Sequence, residues 1–328
     1  MHRPGRWVAR SFLIVAATAV VYVAGAAIIG WGHLRENLRN FPIGLLVPLA
    51  GLSLVNYGLR WLRWEWYLRR LDARVPLRCS LILYFSAFLM VITPGKIGEV
   101  FKAALLRERF GIPLSRGVPI VLSERIYDFL GVLLMAAAGL ATWTGSLAGI
   151  GGGLAAAAGV PILLALFHLR PVRERLLARL AARPSLARYR EGLEGAATGL
   201  GTLLGPRDAL GSVVLSTAAW ACEGVGMWLV CRGLGLDVGV GPACFVYASA
   251  TLLGSLSFLP GGLGGTEAAI VWLLGRLAVG SAPAGAAALI IRVVTLWLAV
   301  AIGLAFWGPS RRLLMETRPP APGAPADT

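Results

Sequence analysis

Charge is scarce in this chain, and negative charge scarcer still: charged residues are 14% of the 328, and 16 Asp and Glu face 31 Lys and Arg. Lysine is nearly absent, with Lys96 and Lys102 the only two. The three histidines, His2, His33 and His168, are scattered at segment ends. The four cysteines, Cys79, Cys222, Cys231 and Cys244, have no CxxC spacing and no neighbouring histidine. Those gaps argue against a metal centre and against a disulfide framework. No Gly-x-Ser-x-Gly elbow and no Walker-type loop occurs, so neither a serine hydrolase nor direct use of ATP is expected. The sequence is read as a non-enzyme, with no cofactor and no metal.

Apolar residues are abundant instead. At 57% hydrophobic, with mean hydropathy +0.73, the chain has too little polar surface to cover a soluble globule. Apolar segments run at about 8–30, 41–60, 77–93, 117–143, 145–168, 209–231, 241–280 (broken at Pro260) and 284–307. Several exceed the roughly 20 residues that cross a bilayer as a helix. The fold class is therefore an all-α polytopic membrane protein of about eight hydrophobic helical segments. Arg3, Arg6 and Arg10 ahead of the first segment mimic a signal peptide. The apolar stretch is too long for that, so a retained span is expected.

The net charge of +15 would suggest nucleic acid in a soluble protein, but here the arginines sit at the ends of apolar segments, where they set orientation. With the N-terminus in the cytoplasm, the loops on that side carry three basic residues in 1–10, six in 60–78, five in 96–116, eight in 169–208 and three in 308–318. Only Arg35, Arg39 and Arg232 fall on the other side. This assignment requires 77–109 to enter from the cytoplasm and return to it, and 241–280 to do the same from outside. Six full spans and two re-entrant hairpins result, in a bacterial cytoplasmic (inner) membrane with both termini cytoplasmic. Full spans followed by surface turns are the alternative. The 169–208 stretch, with Arg170, Arg173, Arg175 and Arg179 among leucines, reads as an amphipathic connector on the cytoplasmic interface. Residues 308–328 read as a disordered tail.

Two copies of one phrase mark the hairpin tips: Pro94-Gly95-Lys96-Ile97-Gly98-Glu99 and Pro260-Gly261-Gly262-Leu263-Gly264-Gly265-Thr266-Glu267. An arginine follows each proline, Arg125 after 31 residues and Arg292 after 32. Helix breakers beside an acid, in corresponding places of two halves (about 41–143 and 209–307), are the pattern of an inverted-repeat transporter with its site near the midplane. A Pro-Gly turn at that depth frees backbone N–H groups that favour a phosphate or carboxylate. Glu99 and Glu267 could alternatively cap their own helices. Glu124, Arg125 and Asp128 form the most charged stretch inside an apolar segment, and an internal pair such as Arg125 with Glu99 is the structural alternative to a substrate role. Arg292 must find an acid elsewhere, with Glu267 a candidate. Glu223 is a further intramembrane acid. The Asn56–Trp64 stretch, with Arg60 and Arg63, looks like an aromatic and basic interface belt, with a headgroup entry site as its second reading.

Taken in order, Asn56, Arg60, Arg63 and Trp64, then Thr93 to Glu99 with Lys102, then Glu124, Arg125 and Asp128, then Pro260, Gly261, Gly262, Gly264 and Glu267, and finally Arg292, resemble the flippase-like membrane domain of lysylphosphatidylglycerol synthases over residues 8–307. The resemblance implies translocation of an aminoacylated phospholipid or another lipid-linked headgroup, such as a polyprenyl-linked one, between leaflets. The sequence carries only a short tail past Trp307, so transport without the aminoacyl-transfer step is expected. Arg125 and Arg292 would meet the phosphate, with Glu99 and Glu267 pairing with them when the site is empty. Two other readings remain open: an intramembrane transferase with Glu99 or Asp128 as base, and a non-transporting subunit of a lipid-modifying system. A homo-oligomer or a separate lipid-modifying enzyme are the protein partners to consider.

Overall fold

The computed structural model describes residues 31–92, 99–145, 151, 190–257 and 259–315, and all regular elements among them are helical. They are α1 (Trp31–Asn40), α2 (Leu46–Arg70), α3 (Leu77–Ser86), α4 (Phe101–Phe110), α5 (Leu114–Thr144), α6 (Arg190–Leu203), α7 (Pro206–Gly233), α8 (Val240–Leu256), α9 (Gly265–Gly275), α10 (Ser281–Arg292) and α11 (Leu298–Met315). Four stretches are long and apolar enough to cross a membrane: Ile43–Arg70, Leu114–Thr144, Pro206–Gly233 and Ser281–Met315. The protein is a multi-pass membrane protein. The expected spans at 8–30 and 145–168, the arginine-leucine part of the connector and the tip residues Pro94, Gly95, Lys96 and Gly98 lie outside the described residues.

Element boundaries follow local chemistry. Pro113 precedes α5 and Pro206 opens α7, where a missing N–H costs nothing. Gly111 (φ 67°) and Gly145 (φ 60°) end α4 and α5 in the left-handed conformation that glycine adopts without strain. α11 continues to Met315 with Ser310 and Leu313 buried, so residues 308–315 belong to the helix rather than to a tail.

The described residues run twice through one order: a long helix, a short helix, a break, a short helix, a long helix. In the first pass these are α2, α3 with a 3₁₀ turn (Ala87–Ile92), α4 and α5; in the second, α7, α8 with the turn Pro260–Gly262, α9, and α10 joined to α11 through a π-helical turn (Val293–Trp297). The return helices α4 and α9 have 10 and 11 residues. At about 1.5 Å per residue they cover roughly half of a ~30 Å hydrocarbon core.

α2 and α7 form an antiparallel spine. Leu49 lies by Gly226, Ser53 bonds Glu223, Asn56 bonds the Ala219 carbonyl, Tyr67 bonds Ser212 and Arg70 pairs with Asp208. α5 is antiparallel to α2: Arg60 and Arg63 reach Asp128, Tyr67 faces Tyr127, and Leu71 and Pro119 both meet Gly199. The chain therefore leaves α2 and enters α5 at the same end of the bundle. In the second pass, Gly226 lies by Ile291, while Leu234 packs with Ala286 and Leu289. The chain thus leaves α7 and enters α10 at one end as well, and it is the opposite end.

The long closing helix of each pass packs on the other pass's first short arm. Gly139 of α5 meets Gly241 and Phe245 of α8, and Gly303 of α11 meets Phe88 and Leu89 after α3. α6 covers α5 at the end where α2 finishes, through Gly195 against Ser115 and Gly199 against Pro119.

Candidate functional site

A ladder of intramembrane charges is built where α2 faces α5. Asp128 accepts from three guanidiniums: Arg60 Nη2 at 2.9 Å, Arg63 Nη2 at 2.7 Å and Arg125 Nη2 at 2.7 Å. Arg63 also donates to Ser216 Oγ across the spine and is wholly buried. One helical turn before Asp128, Glu124 accepts from Lys102 Nζ at 2.5 Å, and that ammonium lies 4.9 Å from the ring centres of both Trp64 and Tyr84. Arg125 extends the ladder to the first tip by pairing with Glu99 Oε2 at 3.0 Å. Charges removed from water are retained only with close partners, and each acid here has one.

The second tip has a smaller counterpart. Arg292, at the end of α10, donates through Nε to Glu267 Oε1 at 2.8 Å and through Nη2 to the Gly261 carbonyl at 2.5 Å. Gly261 (φ 61°), Gly262 (φ 67°) and Gly264 (φ 81°) make the turn in a region that only glycine enters freely. A β-carbon on Gly254 would fall 1.9 Å from Thr266 Oγ1, so α8 and α9 touch through that glycine. The π turn directly after Arg292 is a local widening of the kind often found at functional sites.

Between the second tip and the 3₁₀ turn that follows α3 lies a cavity of about 140 Å³, lined by residues of both passes. Asn56, Tyr57 and Arg60 enter from α2, Trp220 and Glu223 from α7, and Arg292 from α10. The Arg60 guanidinium lies 5.7 Å from the centre of the Trp220 ring. Glu223 is buried and accepts from Ser53 Oγ at 3.2 Å.

The sequence-expected residues thus divide. Glu99, Lys102, Glu124, Arg125, Asp128, Arg60 and Arg63 form one network, and Glu267, Arg292, Gly261, Gly262 and Gly264 form another. The expected pairs Arg125 with Glu99 and Arg292 with Glu267 are both present. Arg125 does not line the cavity; Arg60 faces it in that place. The interface-belt reading of Asn56–Trp64 is overturned, because α2 runs on to Arg70 and buries Asn56 against the Ala219 carbonyl of α7, Arg63 against Asp128 of α5 and Trp64 against Ser80 and Tyr84 of α3. Arg60 and Arg63 accordingly belong to the interior and not to the 60–78 loop. Glu223 was visible as an intramembrane acid, but only the fold puts it in the cavity with Arg60 and Arg292.

Among the described residues no cluster of His, Cys, Asp and Glu could hold a metal ion. Three curated relatives are similar over most of their length. A UPF0104 membrane protein of Methanothermobacter thermautotrophicus is 27% identical over 317 residues, covering 91% of each chain. A second from that organism is 25% identical, covering 91% of this chain and 92% of its own. One from Methanocaldococcus jannaschii is 24% identical over 249 residues, 98% of its length and 70% of this chain. Residues 8–303 match the lysylphosphatidylglycerol synthase TM region, and with that span covering nearly the whole described bundle, the chain belongs to this family.

Proposed function

We propose that the protein moves a phosphate-bearing lipid headgroup between membrane leaflets. The observation that carries this reading is the cavity shared by Arg60 and Arg292, one from each pass, set between two helix breaks. Each arginine is held by an acid, Asp128 or Glu267, whose oxygens occupy the place a phosphate oxygen would take. Guanidinium is suited to such an exchange, because its planar fork serves carboxylate and phosphate alike.

The two passes act as inverted repeats. Their short helix pairs enter and leave at opposite ends of the bundle, as re-entrant hairpins do, and non-helical backbone at membrane depth is tolerated where it lines a cavity. Arg69, Arg70, Arg74, Arg78, Arg107, Arg109, Arg116 and Arg207 gather at the end where α2 finishes and α5 and α7 begin, whereas Arg35, Arg39 and Arg232 lie at the other. The first end is therefore cytoplasmic. A transferase using Asp128 as base is the weaker reading, since three guanidiniums already occupy that carboxylate.

The test is reconstitution of the purified chain in liposomes containing fluorescent phosphatidylglycerol, with outer-leaflet label quenched chemically. Label in the inner leaflet should become quenchable at a rate proportional to protein, and Arg60→Gln or Arg292→Gln should abolish the gain. No acceleration with phosphatidylglycerol, phosphatidylethanolamine or a polyprenyl phosphate would overturn the reading.

A further inference from the structure

Glu223 stands apart from the other acids of the cavity region. Asp128, Glu124, Glu99 and Glu267 each have a cationic partner within 3.0 Å. Glu223 is buried at mid-length of α7, and among the described residues it makes no ion pair; its partner is the Ser53 hydroxyl. The groups that face it are Ser53, Tyr57 and Arg60 on α2, Cys222 on its own helix and Tyr247 on α8, while Arg292 on α10 lines the same cavity. On the α5 side the adjoining Gly224 is met by Met135, which is apolar. The two guanidiniums there are already engaged by Asp128 and Glu267.

We propose that Glu223 is a proton-binding site that couples the cavity to a proton gradient, so that an anionic headgroup and a proton are carried together. This rests on the translocation reading above. A phosphate placed between Arg60 and Arg292 would lie in the same cavity as the Glu223 carboxylate, and two like charges in a site poor in water repel strongly. One proton on a Glu223 oxygen removes that repulsion. The proton comes from water on the side to which the cavity opens, and it returns to water on the other side once the headgroup has left. No bond other than that O–H forms or breaks. Ser53 can serve both states, since its hydroxyl donates to the carboxylate and accepts from the acid.

The full chain in detergent is titrated with short-chain phosphatidylglycerol by calorimetry in two buffers of different ionisation enthalpy. Uptake of up to one proton per bound lipid is expected, with affinity falling about tenfold per pH unit once Glu223 is ionised in the free protein. E223Q should bind without proton uptake and with a flat pH profile, and S53A should move the midpoint of uptake. Binding without proton uptake in the parent, or uptake retained in E223Q, overturns the proposal. If phosphatidylglycerol binds at no pH and no lipid moves, the function proposed above fails separately. The proton site is then read by infrared difference spectroscopy between acid and alkaline pH: a carboxylic-acid carbonyl band lost in E223Q sustains it, and the lack of such a band in the parent overturns it. Should E223Q not fold, an unmoved midpoint in S53A has the same overturning force.

Discussion

Arg292 Nε lies 2.8 Å from Glu267 Oε1, joining the end of α10 to the first turn of α9. The same side chain holds the Gly261 carbonyl, so one guanidinium fixes both sides of the second tip. Arg125 and Glu99 repeat the relationship at the first tip, 3.0 Å apart. A headgroup phosphate competing for Arg292 in the cavity would loosen Glu267 from it and free the second tip to move.

Breaking this pair should separate structure from transport. Arg292→Gln leaves the partly buried Glu267 without its cation, at a cost of about 1.5–3 kcal/mol. Removing the acid as well, in an Arg292→Gln, Glu267→Gln double variant, should restore much of the lost thermal stability in detergent. Lipid movement should stay absent in both. Recovery of transport along with stability would assign Arg292 a purely structural role.

Asp128 is expected to be the most stability-sensitive acid of the bundle. Asp128→Asn withdraws the shared acceptor from Arg60, Arg63 and Arg125, so a loss of about 3–5 kcal/mol is expected. Ser216→Ala removes one neutral partner of Arg63 and should cost only about 1 kcal/mol. Thermal unfolding of the two variants in the same detergent checks the order, and an equal loss in both would show that Asp128 does not organise the ladder.

The sequence made the tips and their arginines legible because those signals are local: a proline with glycines, and a charge inside an apolar run. The roles of Arg60 and Arg63 were hidden. Arginines alternating with tryptophans at the end of an apolar segment look the same whether they face lipid headgroups or distant acids, and their acceptor Asp128 lies 68 and 65 residues further on. Helix α2 extends ten residues past the apolar segment, to Arg70, because Arg63, Arg70 and Glu65 are satisfied by Asp128, Asp208 and Ser80. Hydropathy counts such residues as polar and ends the span early. The same limit applies to Glu223, whose chemical setting comes from Ser53 across the spine, 170 residues away.

Two glycines should behave alike although they lie in different passes. A β-carbon at Gly139 would sit 2.5 Å from the Gly241 carbonyl oxygen, and one at Gly303 would sit 2.6 Å from the Leu89 nitrogen. Backbone cannot yield as a flexible side chain can, so Gly139→Ala and Gly303→Ala should each cost about 1–3 kcal/mol by overpacking. Gly58→Ala, where a β-carbon would meet nothing within 4 Å, is the control and should be neutral or slightly stabilising. Thermal unfolding of the three variants is the measurement. A large loss at Gly139 with none at Gly303 would show that the two crossings are not equivalent.

The last prediction concerns how the first hairpin sits in the membrane. Leu71 and Pro119 both approach Gly199, so the two ends of the 72–113 excursion meet at one end of the bundle. The return helix α4 is too short to cross, at 10 residues and about 15 Å. Single cysteines in place of Arg74 and Arg109, in a chain with its four native cysteines replaced by alanine, should therefore both react with a membrane-impermeant maleimide from the cytoplasmic side only. Cysteines replacing Arg35 and Arg232 should react only from the other side, because the antiparallel α2 and α7 put those positions at the opposite end. Arg276, which follows the second return helix α9, should join that second group. Labelling of position 109 from outside with 74 inside would make 77–110 a full crossing. It would also contradict the antiparallel register of α2 and α5, and with it the shared cavity on which lipid movement is argued.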